Sequence, residues 1–85
     1  MGKARILGAM FGYQNQCRNV TSEVERRFLG SGRWGSPQRI FHADNKIFGD
    51  PARGKVKTLF IIFENSAGKI SCHFTDEYQP PIVLS

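Results

Sequence analysis

The stretch NKIFGDPARGKVKTLFIIF, residues 45–63, decides the fold of this chain, because a Gly-Asp-Pro turn runs through a basic, glycine-containing loop into an apolar strand. We predict that this strand spans Val56–Glu64. Its apolar side chains fall on both alternating faces, with Leu59, Ile61 and Phe63 on one and Phe60 and Ile62 on the other. This pattern is typical of a central strand covered on both sides. We therefore expect Phe60 and Ile62 to be buried, like Leu59 and Ile61.

A second strand is predicted directly after the first, over Lys69–Thr75. The intervening residues 65–68, Asn-Ser-Ala-Gly, have the composition of a hairpin loop. Apolar and polar residues alternate along the second strand, which is typical of a strand with one face in water. The pattern predicts that Ile70, Cys72 and Phe74 point inward and that Ser71, His73 and Thr75 point outward.

The rest of the chain supplies one helix and three further strands. The helix is indicated by an apolar stripe of Val20, Val24 and Phe28, and Gly30 is placed to end it. We predict a strand over Ala4–Tyr13, a loop over Gln14–Asn19, the helix over Val20–Leu29, and strands over Arg39–Ala43 and Ile82–Leu84. The predicted fold class is mainly β: an antiparallel, β-sandwich-like single domain, residues 1–85, with one short helix.

Several short motifs resemble a family of small β-domains. They are Phe11-Gly12-Tyr13, Asn19-Val20-Thr21, Asn45, Gly49-Asp50-Pro51 and Lys57-Thr58-Leu59. The family occurs free-standing or appended to secreted enzymes in bacteria and fungi, and it is distantly similar to the C-terminal domain of certain mitochondrial J-domain proteins. The resemblance implies a β-fold over roughly residues 7–75. It implies no particular activity, because none is common to the family.

Length and composition favour a folded domain with a thin margin of stability. The chain has 85 residues, 40% of them apolar and ten of them aromatic, so it can bury enough area to offset chain entropy. A domain this small buries only about two thirds of the surface of its unfolded chain. A homodimer that covers a strand edge or an apolar patch is therefore a reasonable expectation.

The net charge of +5 admits anionic partners, but it does not select one. The basic residues are scattered over many segments, and no RNA-recognition signature or recognition helix accompanies them, which argues against nucleic-acid binding. No run of eighteen apolar residues exists to span a membrane. The first residues lack a convincing cleavage site, so we expect a cytoplasmic protein or one exported without a classical signal peptide.

The residues with reactive side chains do not form a recognisable catalytic or metal-binding motif. Cys17 and Cys72 are predicted to be free thiols, Cys17 in a loop and Cys72 in the core. His42 and His73 have no ligand at metal-binding spacing, so no metal or other cofactor is predicted. Because nothing local activates a nucleophile either, we expect a protein that is not an enzyme. Asp50 is interpreted as a structural residue of its turn.

Carbohydrate recognition is the function that the loop residues favour. Sugars are bound by an aromatic platform together with short amide and carboxylate groups, held on loops by a rigid sheet. Trp34 lies between glycines, and further candidates follow the predicted strands. The predicted ligand-binding residues are Trp34, Arg33, Arg39, Tyr13, Asn15, Asp44, Asn45 and Tyr78. The expected partners are glycans or glycoconjugates, and the expected function is that of a small lectin.

The alternative function is that of a protein-interaction or scaffold domain. The likeness to the J-domain protein terminus implies this class. Such a domain would bind its partner through an exposed sheet edge instead of loops.

Overall fold

The computed structural model describes residues 3–30 and 37–84 and has a mainly-β, antiparallel fold. The predicted fold class is confirmed in this respect, whereas its sandwich character is not confirmed. The elements are β1 (Arg5–Tyr13), β2 (Gln16–Asn19), α1 (Thr21–Leu29), β3 (Ile40–Phe41), α2 (Asn45–Phe48), β4 (Thr58–Glu64), β5 (Ile70–Asp76) and β6 (Ile82–Val83). None of the described helices is long and apolar enough to cross a membrane.

The main sheet has four strands in the order β2-β1-β4-β5, and every neighbouring pair is antiparallel. The predicted central position of β4 is confirmed, because it pairs with β1 on one side and β5 on the other. β3 and β6 form a separate two-stranded ladder. Short connections join β1 to β2 and β4 to β5, as expected for antiparallel hairpins.

One face of the main sheet forms the core. Leu59, Ile61 and Phe63 of β4 are fully buried, as predicted. The α1 residue Phe28 packs its ring edge against Phe63, with 5.6 Å between the ring centroids. Val24 of α1 belongs to the same buried cluster as residues of the β3–β6 ladder. The helix and the ladder therefore cover the same face, which we call the inner face.

The other face of β4 is only partly covered, so the prediction of full burial for Phe60 and Ile62 is wrong; both are half-buried. The predicted orientation of β5 is wrong as well. Ile61 pairs with His73, so His73 shares the inner face, and the inward residues are Ser71, His73 and Thr75. The alternating pattern specifies a period of two, but the hairpin register decides which set points inward.

The segment predicted as a loop, Gln14–Asn19, contains the edge strand β2. Its residues are polar and exposed, so no hydrophobic alternation marks it as a strand. Gly12 permits the close approach of β2, because a Cβ at this position would collide with the Gln16 carbonyl oxygen and with the backbone of Cys17. A second helix of one turn, α2, spans Asn45–Phe48, where the sequence analysis predicted no element.

We expect Gly12→Ala to lower the free energy of unfolding by about 1–3 kcal/mol, because backbone atoms of β2 must move to admit the methyl group. Gly8→Ala is the matched control on the same strand. A Cβ there would meet only the Ile62 Cδ1 atom, at 3.8 Å, which is ordinary contact. Urea denaturation of both variants checks the prediction. Equal losses at the two positions would contradict it.

Candidate functional site

Two adjoining depressions lie at the end of the sheet where β4 begins and β5 ends. One has a volume of about 380 Å³ and the other of about 290 Å³. Asn45, Glu77 and Tyr78 line both of them, and we call the two together the Tyr78 cleft. The cleft is therefore built from α2 and from the segment that follows β5. Three of the predicted ligand-binding residues line it: Asp44, Asn45 and Tyr78.

Tyr78 stands at the rim of the cleft in an unusual backbone conformation. Its φ angle is 67°, in the left-handed region, and its side chain is 90% exposed. A left-handed conformation costs a bulky residue roughly 1–2 kcal/mol, and such strain clusters at functional sites. The exposed Tyr78 recovers almost nothing of this cost through burial.

Asn45 contributes a hydrogen-bond acceptor to the wall shared by the two depressions. Its Oδ1 atom is buried, and no group among the described residues donates a hydrogen bond to it. A buried acceptor without a donor is costly, which makes this atom a natural partner for a ligand hydroxyl. The neighbouring Asp44 has a structural role, because its carboxylate accepts a hydrogen bond from the Lys46 backbone at 2.9 Å and caps α2.

A buried ion cluster supports the cleft. Lys57 is only 2% exposed, and its ammonium lies 2.9 Å from the Asp50 carboxylate and 3.3 Å from that of Glu77. It also donates a hydrogen bond to the carbonyl oxygen of Ala52 at 2.9 Å. Glu77 accepts a second hydrogen bond from the Lys57 backbone at 2.8 Å. The Asp50 carboxylate therefore pairs with a buried cation, a contact that its interpretation as a residue of the turn did not include.

The charge of Lys57 persists despite burial. Burial by itself favours the neutral amine, but the hydrogen bonds and charges of Asp50 and Glu77 outweigh it, so the pKa of Lys57 is raised above its ordinary value of 10.5. The cluster therefore keeps a charged ammonium between the two carboxyl groups near neutral pH. It holds Glu77 in a fixed position beside Tyr78.

Tyr13 and Asn15 lie near the cleft but do not line it. The Lys55 ammonium is 5.6 Å from the centre of the Tyr13 ring, and Lys55 lines the smaller depression. Asn15 is exposed in the turn between β1 and β2. These two residues therefore extend the polar surface next to the cleft.

The remaining predicted site residues are not brought to the cleft. Arg39 lies beyond the opposite end of β4, where it lines a separate depression with Asn65 and Ser66. Its guanidinium stacks over the Phe28 ring at 4.9 Å from the centroid, so it covers the core. Arg33 and Trp34 lie outside the described residues. The structure therefore separates Arg39 from Asp44, Asn45 and Tyr78, and a ligand-binding role for Arg39 stays a prediction.

Sequence reasoning did not predict the burial of two residues that build the cleft, Lys57 and Glu77. A signal for Lys57 was present, because it lies two residues before Leu59 and therefore shares its side of the chain. Its basic character suggested a solvated loop instead. For Glu77 no local signal exists, because its burial depends on the Lys57 side chain.

The cysteines are free thiols, as predicted. Both are exposed, so the predicted position of Cys72 in the core is wrong. Cys72 and Phe74 lie on the same face of β5, and the register of the β4–β5 hairpin turns that face outward. Among residues 3–30 and 37–84, no group of three or more His, Cys, Asp or Glu side chains is arranged to hold a metal ion.

Comparison of the chain with family models, curated proteins and solved structures gave no significant match. The resemblance to the family of small β-domains therefore stays a prediction based on its short motifs. The inference of function proceeds from the cleft and the surfaces of the domain.

Proposed function

We propose that the protein is a non-catalytic binding module, a small lectin that binds a glycan in the Tyr78 cleft and acts as a homodimer. The observation that carries the ligand-binding part is Tyr78 itself, an aromatic side chain held exposed, at the rim of a polar cleft, by a left-handed backbone. Strained backbone of this kind clusters at functional sites, which supports a ligand contact for the Tyr78 side chain.

The groups around Tyr78 match the chemistry of a sugar. An exposed aromatic ring covers the apolar face of a pyranose, which water hydrates poorly. The Asn45 Oδ1 atom is the acceptor for a hydroxyl, whereas the Glu77 carboxylate is held by Lys57 and shapes the same wall. Lys46 and Lys55, one on each depression, supply donors. A ligand with many hydroxyl groups satisfies all of these at once.

The ion pairs of the two buried-cluster carboxylates, Asp50 and Glu77, favour a binding role over catalysis. Asp50 and Glu77 both pair with Lys57, so neither is positioned as a free general base at the cleft. Ser71 and His73 are within hydrogen-bond distance, at 2.9 Å, but they lie on the inner side of β5, away from the cleft. Their positions on one strand, two residues apart, explain this contact.

We expect Tyr78→Asn to weaken glycan binding at least tenfold, because the stacking platform is lost. Asparagine tolerates the left-handed conformation, so the free energy of unfolding should stay the same or rise by up to about 1 kcal/mol. A glycan array identifies the sugar, and titration calorimetry with that sugar measures the affinities. Denaturation with urea measures the stabilities.

Arg39→Gln is the control, since the structure places Arg39 far from the cleft; its affinity should equal that of the wild type. An array without any sugar above background would refute the lectin proposal. A result in which Arg39→Gln abolishes binding and Tyr78→Asn does not would place the site at the other end of the sheet.

The second candidate function is a protein-interaction domain, and one observation favours it. The outer face of the main sheet exposes large apolar side chains, including Phe74 and Ile70. This apolar surface is a face of the sheet, whereas the sequence analysis expected a protein-interaction domain to bind through a sheet edge. A pull-down that recovers a defined protein from the native source, together with an empty glycan array, would support this alternative.

A further inference from the structure

The outer side of the main sheet, which we call the open face, has an apolar centre. Its central residues are Met10 of β1, Phe60 and Ile62 of β4, and Cys72 and Phe74 of β5, while Ile70 of β5 adds an apolar side chain at the end beside Glu64. Phe74 is 72% exposed, Ile70 58% and Met10 39%. None of the described elements packs over this side. Large exposed apolar patches of this kind mark interaction surfaces.

Both ends of the open face are polar and internally paired. At one end Arg5 binds Glu64 with 2.7 Å between Nε and Oε1. At the other end the Thr58 hydroxyl donates a hydrogen bond to the Asp76 carboxylate. An apolar centre with a hydrogen-bonded polar rim is the composition of a protein–protein interface.

The charge of the open face differs from that of the whole chain. Its paired strand positions carry one cation, Arg5, and two carboxylates, Glu64 and Asp76, which sum to −1, whereas the chain carries +5. A nearly neutral face is poorly suited to an anionic membrane or to nucleic acid, both of which require clustered basic residues. A nearly neutral face suits a protein surface whose positive and negative charges are also balanced. The open face of a second copy of this chain is such a surface.

The charges are also complementary between two copies. Arg5 is at one end of the face on β1, and Asp76 is at the other end on β5, so they occupy diagonally opposite corners. A two-fold axis that lies in the interface, passes through the centre of the face and is perpendicular to the line from Arg5 to Asp76 exchanges these corners, so it runs obliquely to the strands. Each Arg5 then meets the Asp76 of the other copy, and the apolar centres coincide.

We propose that the open face is a homodimer interface, in which two copies pack face to face with Arg5 of each copy at Asp76 of the other. This inference rests on the homodimer part of the proposed function and specifies its surface. Two sheets packed in this way lie about 10 Å apart, with Phe74 and Phe60 of both copies filling the space.

The size of the face predicts a weak dimer. With about 4.8 Å between strands and about 3.3 Å per residue, the paired strands of each copy present roughly 430 Å² of sheet plane. Specific interfaces bury about 800 Å² per partner, and weak ones less than about 600 Å². We therefore expect a dissociation constant on the order of micromolar or weaker, so the dimer depends on concentration.

The dimer leaves both ligand sites free. The α2 residue Phe48 packs against Phe11 on the inner side of the sheet, with 5.2 Å between ring centroids, which places α2 and its part of the Tyr78 cleft away from the open face. Two clefts on one particle bind a multivalent glycan surface with avidity. The dimer thus strengthens weak binding at each site.

The first test is sedimentation velocity over a range of protein concentrations. We expect a monomer–dimer equilibrium for the wild type and a monomer for Phe74→Asp, with the dissociation constant raised at least tenfold. Tyr78→Asn is the matched control, because it also replaces an exposed aromatic side chain with a polar one but lies outside the open face. This variant should dimerise like the wild type. A wild type that stays monomeric at every concentration, or a dimer that Phe74→Asp leaves intact, overturns the proposal.

The second test determines the orientation. Arg5→Glu and Asp76→Lys are each expected to weaken the dimer, because each variant places two like charges opposite one another where Arg5 of one copy meets Asp76 of the other. The double variant restores opposite charges at these positions and is expected to restore the dimer. Failure of the double variant to regain dimerisation overturns the proposed arrangement.

These results are distinguishable from failure of the ligand-binding proposal. Phe74→Asp should keep the affinity for a monovalent sugar and lose only the avidity for a multivalent surface. Tyr78→Asn should lose both while it still dimerises.

Discussion

Ile61→Ala is expected to lower the free energy of unfolding by about 2–5 kcal/mol, because it removes three carbon atoms from the centre of the core. Ile61 is fully buried in β4, between β1 and β5, and it belongs to the main core cluster. The surrounding strands are held by their ladders and collapse only partly into the space. Urea denaturation with an unchanged slope is the measurement.

Ile62→Ala is the matched control, with the same chemical change one residue along the same strand. Ile62 lies on the open face and is half-buried, so we expect a loss of about 1 kcal/mol in the monomer. The comparison is made at a concentration where the protein is monomeric. Equal losses for Ile61 and Ile62 would show that both faces of β4 are covered, and would contradict the assignment of an open face.

Lys57→Met is the second substitution with a large expected effect, a fall in the thermal midpoint of about 10 °C or more. Methionine fills a similar volume, but it removes the ammonium that pairs with the buried Glu77 carboxylate and that donates to the Ala52 carbonyl oxygen, so each of these groups keeps only a backbone donor. Lys55→Met is the control two residues earlier, where the side chain is exposed. Its midpoint should change little. Equal midpoints for Lys57→Met and the wild type would show that the ion cluster does not stabilise the fold.

The contribution of Lys57 should also depend on pH in a defined direction. Because the pKa of Lys57 is raised in the folded protein, the stabilisation is complete below pH 10.5 and is lost as the pH rises through the raised value. The stability difference between the wild type and Lys57→Met should therefore narrow in strongly alkaline solution. Denaturation curves between pH 7 and pH 11 measure it. A difference that widens with pH would show that the pKa of Lys57 is lowered instead.

Local patterns were sufficient to predict the elements with a strong hydrophobic signal. The apolar run of β4, the stripe of α1 and the glycine that ends this helix were all assigned correctly, and Gly30 adopts the expected left-handed conformation with φ at 70°. These features depend on residues a few positions apart, whose spacing is a property of the chain itself. The antiparallel class followed from the short connections between strands.

The position of the candidate site could not be predicted from local patterns. Asp44 and Tyr78 were selected for their residue types, yet they are 34 positions apart, and only the fold places both at one cleft. Arg39 was selected on the same grounds and lies at the other end of the sheet. The left-handed backbone of Tyr78 also has no local signature, because tyrosine is not a residue that favours it.

The residue pattern alone was therefore enough to place β1, β4, β5 and α1 and to show that one side of β4 is buried, but it gave no sign of β2 or α2. The contacts of the folded protein set the rest: β5 turns Phe74 outward, the second side of β4 is open, and Lys57 is buried between Asp50 and Glu77. The physical reason is that a period of two is the same for both phases of a strand. The choice between the phases, and the burial of a charge, depend on partners that are distant in the chain.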